Sequence, residues 1–144
     1  MEKALVVVDM QAEFIRQCGA ADIVQKTANK IRARAEEGYE IIFTVDRAGG
    51  GLAAELKAVC PQHKVYRKHS YGCSRLVLDL YAEKPRVVEF CGVCTNVCVI
   101  TNVLATMAFL PFAEIVVDGG CCASADGGHA AALGVMKACN VKVV

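Results

Sequence analysis

Short runs, most of them apolar and β-branched, recur at 4–8, 40–45, 64–67, 86–90, 113–117 and 141–144, and between them the apolar residues fall at helical spacing. Strands this short without polar alternation are buried on both faces, and the helical stretches between them are long enough to carry the chain back so that neighbours run parallel. The pattern predicts an α/β fold, a doubly wound parallel sheet of about six strands between two helical layers: a three-layer αβα sandwich of Rossmann type. In such sheets ligands sit outside the carboxyl ends of the strands. With 144 residues, 55% hydrophobic and 22% charged, the chain suits one domain spanning 1–144 that buries enough apolar surface to offset the ordering of its backbone.

The helical segments have recognisable ends. Ile23, Val24, Thr27, Ala28, Ile31 and Ala35 repeat at helical spacing over 21–37, and Gly38 stops them. Shorter helices are predicted over 52–59, closed by Pro61, and over 74–81. A helix over 95–110 opens at Thr95 and ends before Pro111, and Ser124 caps a last helix over 125–139. The triplet Gly49, Gly50, Gly51 reads as a flexible connection, because no Gly-Lys-Ser/Thr follows to make it a phosphate loop.

Sixteen basic against fifteen acidic residues leave a formal charge of +1 with no block of one sign, so neither nucleic acid nor a membrane surface is an expected partner. No apolar stretch approaches the roughly 18 residues of a membrane span. The N-terminal apolar run is too short for a signal peptide, and the expectation is a cytoplasmic protein. Nine cysteines, an odd number too sparse for a disulfide scaffold, then read as reduced thiols, with ligand or nucleophile roles open for some of them.

The residues closing the strands are Asp9, Asp46, Lys68, the segment 92–98 and the segment 119–122. In a doubly wound sheet these face one crevice, which brings an acid, an amine and a thiol together. Cys98 falls in the first turn of the helix opened by Thr95, where unpaired N–H groups and the helix dipole favour a thiolate, and Lys68 would favour it further. Asp9 is placed to take the thiol proton and return it to a leaving amine. Cys91, Cys94 and Cys98 also form a C-x-x-C-x-x-x-C run, which keeps a zinc or thiol redox role open.

Val6-Val7-Val8-Asp9-Met10-Gln11-Ala12-Glu13-Phe14, Tyr66-Arg67-Lys68-His69-Ser70-Tyr71 and Gly92-Val93-Cys94-Thr95-Asn96-Val97-Cys98-Val99 resemble, in order, the three signatures of the isochorismatase-like cysteine hydrolases. That superfamily includes nicotinamidases, carbamoylsarcosine amidases and ureidoacrylate amidases. The resemblance implies a sheet of six parallel strands, a triad on Asp9, Lys68 and Cys98, and a homo-oligomer. It also implies a non-proline cis peptide between Val93 and Cys94 that turns the amides of Cys94 and Cys98 toward an oxyanion. Phe14, Arg47, His69, Tyr71 and Asn96 are candidates for the substrate pocket, Arg47 for an anionic group and Asn96 standing where many members have Asp.

The chain departs from the family after its second strand. Metal-dependent nicotinamidases carry an Asp and a histidine pair there; this chain has Asp46-Arg47-Ala48 and three glycines, and is shortened between Asp46 and Lys68. No catalytic metal and no cofactor are therefore expected. The expected activity is hydrolysis of a C–N bond in a small amide or ureido compound through a thioester on Cys98. The alternatives are a degenerate relative that binds a small molecule without turnover, and a thiol redox or metal-binding protein.

Overall fold

The computed structural model describes residues 1–60 and 62–144. Six strands, all parallel, form one sheet: β1 (Lys3–Val8), β2 (Glu40–Asp46), β3 (Lys64–Lys68), β4 (Val87–Val93), β5 (Glu114–Ala123) and β6 (Lys142–Val143). Their order is β3-β2-β1-β4-β5-β6. The order reverses between β1 and β4, and there the crossovers depart to opposite sides and leave a crevice at the carboxyl ends. Strand β1 is the axis of the core: Ala4 to Val8 are inaccessible, paired with β2 from Ala4↔Glu40 to Val8↔Thr44 and with β4 from Lys3↔Val87 to Val8↔Gly92.

The helices are α1 (Ala12–Gln17), α2 (Ala21–Glu36), α3 (Ala54–Ala58), α4 (Ser74–Glu83), α5 (Ile100–Phe109) and α6 (His129–Ala138). Helix α2 buries Ile23, Thr27, Ala28 and Ile31 against the sheet and packs beside α3, whereas α5 contacts both α4 and α6. The result is the three-layer α/β sandwich expected from the alternation of runs.

Three local expectations change. Helix α1 has no signature in the sequence because it buries no residue completely and so carries no apolar stripe. Thr95 is not an N-cap: Cys94 precedes a π-helical turn, Thr95–Val99, and the buried Thr95 Oγ1 lies 2.8 Å from His129 Nδ1, tying that turn to α6. Ser124 does not cap α6, which starts at His129 after Gly128; β5 continues to Ala123 because it pairs with β4 through Gly92↔Cys122 and Val93↔Ala123 beyond a bulge. Pro61, expected to close the third helix, lies outside the described residues.

The glycine triplet is also more constrained than a flexible connection. Residues Arg47–Gly49 form a 3-10 turn, and Gln11, itself buried, donates from Nε2 to the carbonyls of Asp46 and Gly50, both at 2.7 Å, and accepts the Asp46 amide at 2.8 Å.

At Gly92 the backbone has φ 121°, and a Cβ would stand 2.1 Å from the Val8 carbonyl oxygen. Neither the conformation nor the space admits another residue, because the obstacle is the backbone of the central strand. Gly134, on the exposed side of α6, has nothing within 4 Å of a Cβ. Gly92→Ala is expected to cost about 3 kcal/mol or more, and Gly134→Ala to gain about 0.5–1 kcal/mol; urea unfolding midpoints of both variants check this.

Candidate active site

Asp9 is the first residue after β1 and stands at φ 49°, a left-handed conformation that Asp tolerates better than most residues. The bend turns its side chain into the crevice. Its amide donates to the Thr44 carbonyl at 3.1 Å, and the Thr44 hydroxyl donates to Asp9 Oδ1 at 2.8 Å, so the neighbouring strand holds one carboxylate oxygen in place. The other, Oδ2, lies 2.8 Å from Lys68 Nζ and makes no hydrogen bond of good geometry with any group. It retains acceptor capacity inside the protein.

Lys68 is the last residue of β3, two strands away from β1, and its long side chain reaches back across the end of β2. It is 4% exposed. Its Nζ donates to the Ser70 carbonyl at 2.9 Å and to Cys98 Sγ at 3.4 Å, with Asp46 Oδ2 at 4.0 Å. Cys98 is the fourth residue of the π-helical turn that follows β4. The Cys94 carbonyl accepts the amides of Val97 and Val99, at 3.1 and 3.0 Å, and this wide turn presents Cys98 to the crevice. The peptide between Val93 and Cys94 is cis. One turn on, the buried Asn102 donates to the carbonyls of Cys98 at 2.8 Å and Tyr71 at 3.1 Å and accepts the Cys73 amide at 2.8 Å, binding the loop after β3 to the cysteine's helix.

Burial dominates the electrostatics. It pushes the Asp9 carboxyl above its ordinary value, an effect that Lys68, Thr44 and Cys98 only partly offset. It also works against the Lys68 charge, but there the bond to Asp9 and the charges of Asp9 and Cys98 outweigh it, and the ammonium persists above its ordinary range. Burial, and then the Asp9 charge, push the Cys98 thiol up to about 11 despite Lys68. The helix start and the lysine thus do not produce the resting thiolate expected from sequence. Cys98 rests as a thiol beside a carboxylate that can take its proton.

The pocket candidates are dispersed. Phe14 is half-buried, and its ring occupies the space in which a Gly49 Cβ would stand. Arg47 is exposed on a cavity of about 510 Å³ that it shares with Gln11, Asp46, Lys57, His63 and Arg67. His69 and Tyr71 are exposed on the loop after β3, Tyr71 by 66%. Asn96 is turned toward α6, donating to the Asp126 carboxylate at 2.9 and 3.1 Å. The sequence reading missed the parts played by Thr44, Gln11 and Asn102. Each is a polar residue in an apolar segment, and Asn102 falls four residues after Cys98 on the same helix face, which is the signal that was available.

The cysteine run does not gather. Cys91 is inaccessible within β4, Cys121 and Cys122 are buried in β5, and Cys94 Sγ lies against Cys18 Sγ. Among the described residues, no group of three or more His, Cys, Asp or Glu side chains could hold a metal ion, and no helix is long and apolar enough to cross a membrane.

Residues 3–144 match the family model described as the isochorismatase domain. No curated protein matches the sequence. Among solved structures, a nicotinamidase from Staphylococcus aureus superposes with a TM-score of 0.82 at 24% identity, each chain covered over 100% of its length. A pyrazinamidase of Pyrococcus horikoshii in complex with zinc gives 0.79 at 22% identity, with 100% of this chain and 99% of that chain covered. The YcaC gene product of Escherichia coli, an octameric hydrolase of unknown specificity, gives 0.85 at 18% identity over 99% of this chain and 74% of that one. Zinc does not fit the residues at hand: Asp46 is followed by Arg47 and Ala48, and His63 faces the Cys60 carbonyl through Nδ1 at 2.6 Å with its ring edge-on to Phe43.

Removing the ammonium leaves a buried carboxylate without its partner. Lys68→Met is expected to lose about 3–5 kcal/mol at neutral pH. Its Asp9 then has a folded-state pKa still further above the unfolded one, so the folded state binds the extra proton and stability rises as pH falls through that raised value. Lys68→Met combined with Asp9→Asn should lack this rise. Urea titrations over a pH series check both.

Proposed function

The chain belongs to the isochorismatase family of hydrolases, and on that premise we propose that it is a cysteine amidohydrolase that cleaves a C–N bond of a small amide or ureido compound through a thioester on Cys98. The observation that carries this reading is the contact of one buried ammonium with both a carboxylate and a thiol: Lys68 Nζ at 2.8 Å from Asp9 Oδ2 and 3.4 Å from Cys98 Sγ.

The chemistry follows from the protonation states. As Cys98 Sγ attacks the carbonyl carbon, Asp9 Oδ2 takes the thiol proton, so sulfur becomes nucleophilic only when the substrate is in place. The carbonyl oxygen gains the negative charge and is received by the amides of Cys94 and Cys98 at the start of the turn. Collapse of the tetrahedral intermediate breaks the C–N bond while Asp9 returns its proton to the departing nitrogen, and ammonia or an amine leaves. Water, deprotonated by the same carboxylate, attacks the thioester; the acid is released and the thiol re-forms. Lys68 keeps its charge throughout, steadying the carboxylate and the sulfur as negative charge passes between them. Phe14, Arg47, His69, Tyr71 and Asn96 are the residues around which substrate selection is proposed, in a cytoplasmic protein.

A homo-oligomer is part of the reading. Leu78, Tyr81 and Phe109 expose apolar surface on α4 and α5, with the Tyr81 and Phe109 rings edge to face at 6.2 Å. Light scattering of the purified chain should give a mass well above the monomer's 15.4 kDa; a monomer at micromolar concentration rejects this part.

The roles of Asp9 can be separated. Asp9→Asn keeps a residue that tolerates left-handed φ, removes the base and removes the charge that raises the thiol. Amide hydrolysis should fall by about 10²–10⁴-fold in kcat/KM, while iodoacetamide alkylates Cys98 faster than in the native chain, with a midpoint below about 11. Slower alkylation would show that Asp9 is not the group acting on the thiol. In the native chain kcat/KM should decline as pH drops through the raised Asp9 pKa, because the carboxylate is the working form.

A further inference from the structure

The proposed hydrolysis uses the Cys94 amide but no thiol other than that of Cys98. Two thiols nevertheless meet at the edge of the site. Cys18 ends α1, Cys94 opens the turn that carries Cys98, and their sulfur atoms, 76 residues apart in sequence, lie 2.8 Å from each other. Both are free and half-buried, unlike Cys60, Cys73, Cys91, Cys121 and Cys122, which are buried. A disulfide needs about 2.05 Å between sulfurs, so less than an ångström of movement separates the pair from a bond.

We propose that Cys18 and Cys94 form a reversible redox site, which a hydroperoxide closes into a disulfide and a thiol reopens, and that the closed form switches the hydrolase off. The second half rests on the hydrolase reading; the first does not.

Burial, and then the contact with Cys94, push the Cys18 thiol up to about 12. In the proposed cycle Cys94, which opens the turn carrying Cys98, is the sulfur that hydrogen peroxide meets first. Its S–H and the peroxide O–O bond break, and Cys94 sulfenic acid and one water form. Cys18 sulfur then attacks the sulfenyl sulfur, the S–O bond breaks, and the departing hydroxide takes the Cys18 proton as a second water. In sum the two sulfurs lose two electrons, the peroxide gains them, and one S–S bond replaces two S–H bonds. A disulfide between two half-buried cysteines is not sealed in the core, and cellular thiols are the reductant that reopens it.

The consequence for catalysis is geometric. Cys94 accepts the Val97 and Val99 amides that shape the turn around Cys98, so pulling its sulfur toward α1 displaces both the nucleophile and the proposed oxyanion donors. A displacement of about 1 Å at a reacting centre is worth about 10²-fold in rate.

The test uses the full chain, reduced with dithiothreitol, desalted without oxygen and exposed to a small excess of hydrogen peroxide before thiol blocking and non-reducing peptide mapping. The expected result is a linked peptide pair holding Cys18 and Cys94, loss of two of the nine thiols, a melting temperature higher by several degrees, and a fall in amide hydrolysis of tenfold or more that dithiothreitol reverses. Cys18→Ser should hydrolyse normally before peroxide and show neither the linked pair nor the melting shift, and Cys98→Ala should still form the pair. Oxidation or linkage of Cys98 with Cys18 and Cys94 left reduced overturns the redox site. A linked pair with unchanged hydrolysis overturns the switch, and a linked pair in a chain that hydrolyses no amide overturns the hydrolase reading while the redox site stands.

Discussion

An ammonium and a carboxylate 2.8 Å apart, both almost inaccessible to water, set the conditions for everything around them. Burying two such charges costs several kcal/mol per ion, and their attraction repays that only if the remaining donors and acceptors are met and the geometry is held. Here the Thr44 hydroxyl holds one carboxylate oxygen, and the Ser70 carbonyl and the Cys98 sulfur each accept an ammonium proton. Asp9 Oδ2, without a hydrogen bond of good geometry, keeps acceptor capacity beside the ammonium. The arrangement explains why the pocket favours a protonated thiol over a free thiolate: a third charge in the same dry space would have only one cation to answer two anions.

The sheet explains how residues at positions 9, 68 and 98 come to share that space. Parallel strands deliver their last residues to one edge, and the order β3-β2-β1-β4 puts Asp9 and the turn of Cys98 after adjacent strands, with Lys68 two strands from β1. The span from β3 to β1 suits a lysine, whose four-carbon stem crosses the end of β2. Supporting contacts come from segments that only the fold unites: Gln11 fastens the turn after β2, and Asn102 fastens the loop after β3 to the helix of Cys98. The close approach of Gly92 to Val8 sets the spacing of the two strands on which Asp9 and Cys98 depend.

The nine cysteines separate by environment. Cys91, Cys121 and Cys122 sit in the sheet as small apolar residues, and burial raises each of their thiols. Cys98 meets the ion pair, and Cys18 and Cys94 meet each other. Membership of the isochorismatase family accounts for the sheet and for hydrolysis in general. The fold likeness spans an enzyme in complex with zinc and a hydrolase of unknown specificity, so the choice of substrate has to be sought in what this chain places after β2 and β3.

The six strands, their parallel arrangement and the convergence of Asp9, Lys68 and Cys98 are legible in the sequence by itself, because a buried strand leaves a run of apolar residues and the residue that ends the run is forced to the sheet edge. Helix α1, the start of α6 and the π-helical turn are not legible. Their boundaries follow from strand pairing and from contacts such as Thr95 with His129, which join positions far apart in the chain. The same limit applies to charge: the sequence determined which ionisable groups meet, but only the tertiary structure decided that Cys98 rests as a thiol. Protonation depends on how much water is excluded and on the distances to every neighbouring charge, quantities that exist only once the chain is packed.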